Sequence, residues 1–296
     1  MTIGVWSHWS RPFAHRPGAG WPSDFHYVLS CLLSLQCGRR HFDRTVLVTD
    51  SPGKCMLVDQ AGLEFDEVRL DLDCLQGLNP AWWVMGKVQA IRIQTEPFIH
   101  IDNDAYFWAP LPERLMNADV AAQNPEHFTD DSDYYRLSDL DSIRTCPFSW
   151  IPREIQWCRS VFGEVQRSFN TGIYGGRRLD FIRYCAELTF EILEHPGNRL
   201  GMEQIHDKMR MSGLLEMFTP AACLDYYATR PYSPFSNVRV ETLFKSAESA
   251  FADEGISGYT HMIGRSKSKA SNALKLVRRV ERDYPTMFSR CRDIFL

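Results

Sequence analysis

The sequence predicts an α/β fold around a mostly parallel sheet. Short apolar, β-branched runs alternate with stretches of helical spacing through the first hundred residues, which is how successive βαβ units read. The joints between them are short and carry helix caps and turn residues. The 296 residues, 44% apolar and 24% charged, can bury a substantial core, and no repeat or low-complexity tract interrupts them.

Ile3 to Ser7 reads as the first strand. Phe25 to Cys37 follows as a helix, opened by Ser23 or Asp24 and closed at Gly38. Thr45 to Asp50 is a buried strand, and Ser51-Pro52 then starts a short helix ending at Gly62, because proline in the first turn loses no hydrogen bond. Phe65 to Leu70 is a third strand. Asn79-Pro80 opens a helix through Gln94, and Pro97 to Asp102 is a fourth strand. Beyond Asp104 the order loosens into a strand near Asp119 to Ala122 and a polar stretch, 129–145, rich in Asp and Tyr. That stretch reads as a mobile loop over a site, its Asp133, Tyr134 and Tyr135 suited to an acceptor. Ser168 to Gly175 is a strand, and from Arg177 to His195 apolar residues recur at helical spacing (Leu179, Ile182, Cys185, Leu188, Ile192). A shorter helix near Met202 to Met211, a strand-like piece from Gly258 to Ile263, a basic helix from about Lys269 to Arg282 and a tail complete the chain. The expected organisation is one domain over 1–268 with a C-terminal helical appendage over 269–296.

Charge and composition exclude several classes. With 33 Lys+Arg against 37 Asp+Glu the net charge is −4, so the chain lacks the broad positive field of a nucleic-acid binder. The opening residues, with no basic stretch followed by an apolar run, do not read as a signal peptide. The longest apolar stretch, Val28 to Leu35, is broken by Ser30, Cys31 and Ser34 and falls far short of the roughly 20 residues a bilayer needs, so no membrane span is expected. Nine cysteines, none in a Cys-x-x-Cys pair, read as reduced thiols of a cytoplasmic protein.

Asp102-Asn103-Asp104 stands immediately after the apolar run Phe98 to Ile101. In open α/β sheets ligands bind beyond the carboxyl ends of the strands. Two carboxylates there repel unless a cation lies between them, so a divalent metal carrying a phosphate is the economical reading. Asp71-Leu-Asp73, Asp131-Ser-Asp133 and Asp139-Leu-Asp141 match the same spacing, and only context separates them. His261-Met-Ile-Gly264-Arg-Ser-Lys267, in a turn after a short strand, offers an imidazole for a metal, a backbone able to approach a phosphate and an ammonium to neutralise it. His100 shares strand parity with Asp102, and reads as a core histidine or as a further member of the metal site.

Taken with Phe169-Asn170-Thr171-Gly172 and Glu203-Gln204, these motifs resemble the glycosyltransferases of the GT-A fold. The order Lys87, Asp102/Asp104, Asn170, Glu203-Gln204, His261/Gly264/Lys267 is most similar to that of the glycogenin-type family 8 transferases, over roughly residues 1–270. Glu203 in place of an aspartate, and Ser268-Lys269 in place of Pro-Trp, mark a divergent relative. The resemblance implies a Rossmann-like nucleotide-sugar-binding fold with a mixed, mostly parallel sheet. It also implies transfer, with retention, from a nucleotide-sugar donor, a UDP-sugar, to an acceptor it does not identify. Asp102, Asp104 and His261 would hold Mn²⁺ or Mg²⁺. Trp6, Ser7, Asp50, Lys87, Asp102, Asn103, Gly264 and Lys267 would meet the donor, and Asn170, Glu203 and Gln204 would carry the transfer. Bland alternatives stand beside these roles: Trp6 as core, Lys87 as a solvated helix lysine, Glu203 as an exposed acid favoured by a helix N-terminus. Two other functions compete, a non-catalytic nucleotide-sugar or protein-binding module and a haloacid dehalogenase-type phosphatase. Tyr106 stands where the phosphatase motif has Thr or Val.

Overall fold

The computed structural model describes residues 3–132, 136–145, 148–252 and 258–296. Along the chain the first principal elements are β1 (Ile3–His8), α1 (Asp24–Gly38), β2 (Arg44–Thr49), β3 (Glu67–Arg69), α2 (Met85–Arg92), β4 (Phe98–Ile101) and β5 (Ala105–Phe107). Next come β6 (Val120–Phe128), α3 (Arg153–Phe162), β7 (Gln166–Gly176), α4 (Leu179–Glu194), α5 (Arg199–Gln204) and α6 (Lys208–Ala228). Last are β8 (Val240–Thr242), β9 (Tyr259–His261), α7 (Ala270–Asp283) and α8 (Pro285–Phe295). The fold is mixed α/β with mostly parallel strand pairing, as the sequence predicts.

The chain divides into two compact units, one of Met1–Pro80, Phe98–Leu111 and Asp253–Leu296, the other of Ala81–Pro97 and Pro112–Ala252. In the first unit the strands run in the order β3-β2-β1-β4, every pair parallel. Sequence-adjacent βαβ units and the β-branched, two-sided burial of β2 produce that arrangement. Trp6, Leu29, Leu32, Leu35, Leu47, Phe98 and Phe107 form its centre and are essentially inaccessible. Helix α1 is buried almost all round: β5 packs on it, as do α7 and α8. Helix α7 turns Ala273, Leu276 and Val280 inward. Segment 269–296 is thus two helices seated on α1, and the residues read as a tail form α8, opened by Pro285 in the first turn. β5 and β9 pair antiparallel, with Ala105 opposite His261.

In the second unit β6 lies between β7, antiparallel to it, and β8, parallel to it. β6 runs on to Phe128, past the expected end at Ala122, because a register shift between Ala122 and Asn124 lets the strand continue through Pro125. The polar stretch 129–145 carries helical turns at Ser138–Asp141 and Ile143–Thr145. Asp133, Tyr134 and Tyr135 lie outside the described residues. Helix α6 spans 21 residues with Pro220 inside it, whereas the expected helix was short and ended at Met211. Its neighbours β7, α3 and α4 cover it. Helix α2 starts at Met85, later than the Asn79-Pro80 signal, since the intervening residues form turns. No helix among the described residues is long and apolar enough to cross a membrane.

Candidate functional site

β4 delivers the Asp102-Asn103-Asp104 turn, and the antiparallel β5–β9 pair folds the later segment back so that His261 stands opposite Ala105. Met262 N–H donates to the Asp104 carbonyl at 3.0 Å, which fixes that return. His261 Nε2 lies 3.4 Å from Asp104 Oδ1 and 3.7 Å from Asp102 Oδ2. One donor atom from each of the three residues falls within 4.8 Å of the others. The Lys267 ammonium donates to Asp104 Oδ2, the carboxylate oxygen turned away from His261. Burial alone would raise the Asp104 pKa, but Lys267 and His261 outweigh it and hold the carboxyl well below its usual range. Two motifs more than 150 residues apart in sequence therefore meet within the first unit.

The donor set suits a hard divalent cation. Carboxylate oxygens and an imidazole nitrogen are ligands of Mn²⁺ and Mg²⁺ chemistry. A cation binding its ligands at roughly 2.1 Å brings neighbouring donors to about 3 Å apart, so the trio must draw together to hold one. Lys267 is the counter-cation of Asp104 in this arrangement.

The turn is held from behind by residues that sequence reasoning missed. Ser34 Oγ accepts from the Trp6 indole N–H at 2.8 Å and donates to the Ala105 carbonyl at 2.7 Å. One helical turn earlier, Ser30 Oγ donates to the Asn103 carbonyl at 2.8 Å and sits 2.8 Å from Tyr106 OH. Asn103 Nδ2 donates to the Ser7 carbonyl at 2.8 Å and to Tyr27 OH at 3.1 Å, and Tyr27 OH reaches His8 Nδ1 at 2.7 Å. The available signal was two serines four residues apart in an otherwise apolar helix, whose hydroxyls must be satisfied once buried.

Trp6 is thus a core side chain, wholly buried and committed to Ser34. Ser7 Oγ bonds His100 Nε2 at 2.8 Å, and His100 Nδ1 stands 3.8 Å from Asp102 Oδ1, so His100 is a buried support of the trio. Asp50 is also buried; it caps the next helical turn through Gly53 N–H at 3.0 Å and accepts Ser10 Oγ at 2.5 Å. Gly264, at φ +55, opens the turn that carries Lys267.

The remaining predicted residues belong to the second unit. Lys87 is neither solvated nor open: it pairs with Glu216 at 2.7 Å and donates to the Thr171 carbonyl at 2.6 Å, both charged side chains being under a tenth exposed. Asn170 Nδ2 donates to Glu126 at 2.9 Å while its Oδ1 accepts Gly172 N–H. Glu203 is exposed and pairs with Arg199 one turn back, and Gln204, also exposed, ends α5. Two of the other Asp-x-Asp pairs are engaged elsewhere, and the third, Asp131-Ser-Asp133, lies partly outside the described residues. Asp71 meets Arg69 and Asp73 caps at Ser51, while Asp139 and Asp141 bind Arg210 and Arg159. The described cysteines are free thiols.

These features define an α/β protein with an Asp-Asp-His cluster of metal-ligating type beyond the end of a parallel strand. The chain belongs to a family of unknown function, DUF6734, whose model matches residues 1–294. No curated protein matches it. Among solved structures it is similar to the galactosyltransferase LgtC in complex with donor and acceptor sugar analogs, at 12% identity and a TM-score of 0.42, over 99% of this chain and 96% of that one.

Proposed function

We propose that this chain is a metal-dependent glycosyltransferase of the GT-A type, using a nucleotide-sugar donor of the UDP-sugar class with Mn²⁺ or Mg²⁺. The observation that carries the reading is the meeting of Asp102, Asp104 and His261, with Lys267 on Asp104. A dication bound there would supply Lewis-acid stabilisation of the departing nucleoside diphosphate. Asp104 and His261 bind and orient it, with Asp102 completing the set. Lys267 places a positive charge where a phosphate oxygen gains negative charge as the glycosidic bond breaks. Ser30 and Ser34 keep the carboxylate turn rigid, so the donors are organised before ligand arrives. Ser7, Asp50, Asn103 and Gly264 line the donor side, whereas Trp6 supports it through Ser34. For Lys87 a role in donor binding, for Asn170, Glu203 and Gln204 a role in sugar transfer, and the retaining outcome rest on the sequence resemblance.

The test is a panel of nucleotide-sugars incubated with the purified chain and Mn²⁺, scored by release of free nucleotide. Release that requires metal and disappears with chelator supports the reading. No release from any donor, or release indifferent to chelator, contradicts it.

A further inference from the structure

Lys267 does not approach Asp104 alone. Its aliphatic stem runs past Gly20, which holds φ +96. A Cβ at that glycine would stand 3.6 Å from Lys267 Cε and 3.9 Å from Arg16 Nη2. The Arg16 guanidinium and the Lys267 stem therefore both come within van der Waals reach of the one position that a Cβ at residue 20 would take. The Arg16 backbone N–H is committed to the carbonyls of Pro12 and Phe13, which fixes the start of its side chain. The Arg16 guanidinium has no carboxylate partner among the described residues.

We propose that Arg16 is a second diphosphate-binding cation, acting with Lys267 beside Gly20. The inference rests on the metal reading of the trio and adds a residue that the sequence motifs do not contain. Charge supports it. Asp102 and Asp104 carry two negative charges and a nucleotide-sugar diphosphate carries two more. A divalent cation with Lys267 supplies three positive charges, and Arg16 supplies the fourth, so the assembled site is neutral. A planar guanidinium also matches phosphate oxygens two at a time, which an ammonium does not. Lys267 spends its charge on Asp104, leaving Arg16 as the cation open to an arriving phosphate. The bare backbone at Gly20 lets the two converge on one anion.

The test uses full-length protein with Arg16→Met, Arg16→Lys and Lys267→Met, titrated calorimetrically with Mn²⁺ alone, with UDP in saturating Mn²⁺, and with uridine. Arg16→Met should bind UDP about tenfold more weakly while Mn²⁺ and uridine affinities hold, and Arg16→Lys should recover part of the loss. Lys267→Met should weaken UDP similarly but bind Mn²⁺ alone more tightly, because the ammonium no longer competes for Asp104. Equal UDP affinity in wild type and Arg16→Met overturns the proposal. An equal loss of uridine binding also overturns it, since Arg16 would then be shaping the pocket. Wild-type protein that binds neither Mn²⁺ nor UDP overturns the glycosyltransferase reading itself, a result distinct from failure at Arg16 alone.

Discussion

Protonation of His8 should set how steeply this protein loses stability in mild acid. His8 ends β1 with 4% of its surface exposed, and its ring packs 5.5 Å from both Phe13 and Tyr27. Nδ1 is bonded to Tyr27 OH, while the buried Nε2 has no hydrogen-bond partner among the described residues. Burial lowers the pKa from 6.5 to about 4, against the opposing pull of the Asp50 carboxylate. The unfolded chain takes up this proton near pH 6.5 and the folded chain only near pH 4. Between those values the unfolded state holds more protons, so stability is complete above pH 6.5 and declines as pH falls. At about 1.4 kcal/mol per pH unit, the loss reaches about 2 kcal/mol by pH 5 and about 3 kcal/mol by pH 4. Urea unfolding of wild type and His8→Gln at pH 7.5 and pH 5 isolates this contribution from the other titrating groups. The variant should lose about 2 kcal/mol less than wild type between the two conditions. Equal losses would refute the assignment of a neutral, desolvated imidazole at this position.

Three further outcomes follow from the same geometry. Lys87→Met strands Glu216 in the interior and should cost about 3–5 kcal/mol in chemical unfolding, whereas Lys87→Met with Glu216→Leu should recover most of it, as buried pairs replaced by apolar ones do. An uncompensated loss in the double variant would show that Lys87 matters for something other than this pair. Asp104→Asn should abolish Mn²⁺ binding and, by taking the carboxylate from Lys267, cost about 1.5–3 kcal/mol at neutral pH. Because the Asp104 carboxyl titrates below its usual 3.8, its stabilisation is complete above that value and fades as pH falls further, so the thermal midpoints of wild type and variant should converge in strong acid. Ser34→Ala removes the acceptor of the buried Trp6 N–H and a donor to the Ala105 carbonyl and should cost about 1–3 kcal/mol while weakening Mn²⁺ binding; an unchanged Mn²⁺ isotherm would separate the serine from the carboxylate turn.

The sequence showed most clearly what is local or periodic. Strands β1, β2 and β4 and helices α1, α4 and α7 were legible because caps, prolines and apolar spacing agree over each of them. Helix α6 escaped because it is buried on most sides and so shows no amphipathic stripe, and because Pro220 reads as a breaker. β6 runs past its expected end because a register shift accommodates Pro125 within the strand. In the site, the Asp-Asn-Asp and His-x-x-Gly-x-x-Lys motifs could be picked out as separate stretches, and the fold brings them together. Lys87 could not be read correctly, since its partner Glu216 lies 129 positions away on a helix that the sequence did not show in full. Trp6 and Ser34 illustrate the converse: a polar atom on a large aromatic signals a hydrogen bond, but not whether its partner is ligand or core.

The most direct test of the central claim is a crystal of the full chain grown with MnCl₂ and UDP, with anomalous differences recorded near the manganese edge. The account predicts one strong peak within coordination distance of the Asp104 carboxylate and His261 Nε2, with Asp102 beside it and Lys267 drawn from Asp104 toward the diphosphate. A fully occupied manganese at another carboxylate pair such as Asp71 and Asp73, with the Asp102, Asp104 and His261 trio holding only Lys267, would contradict it.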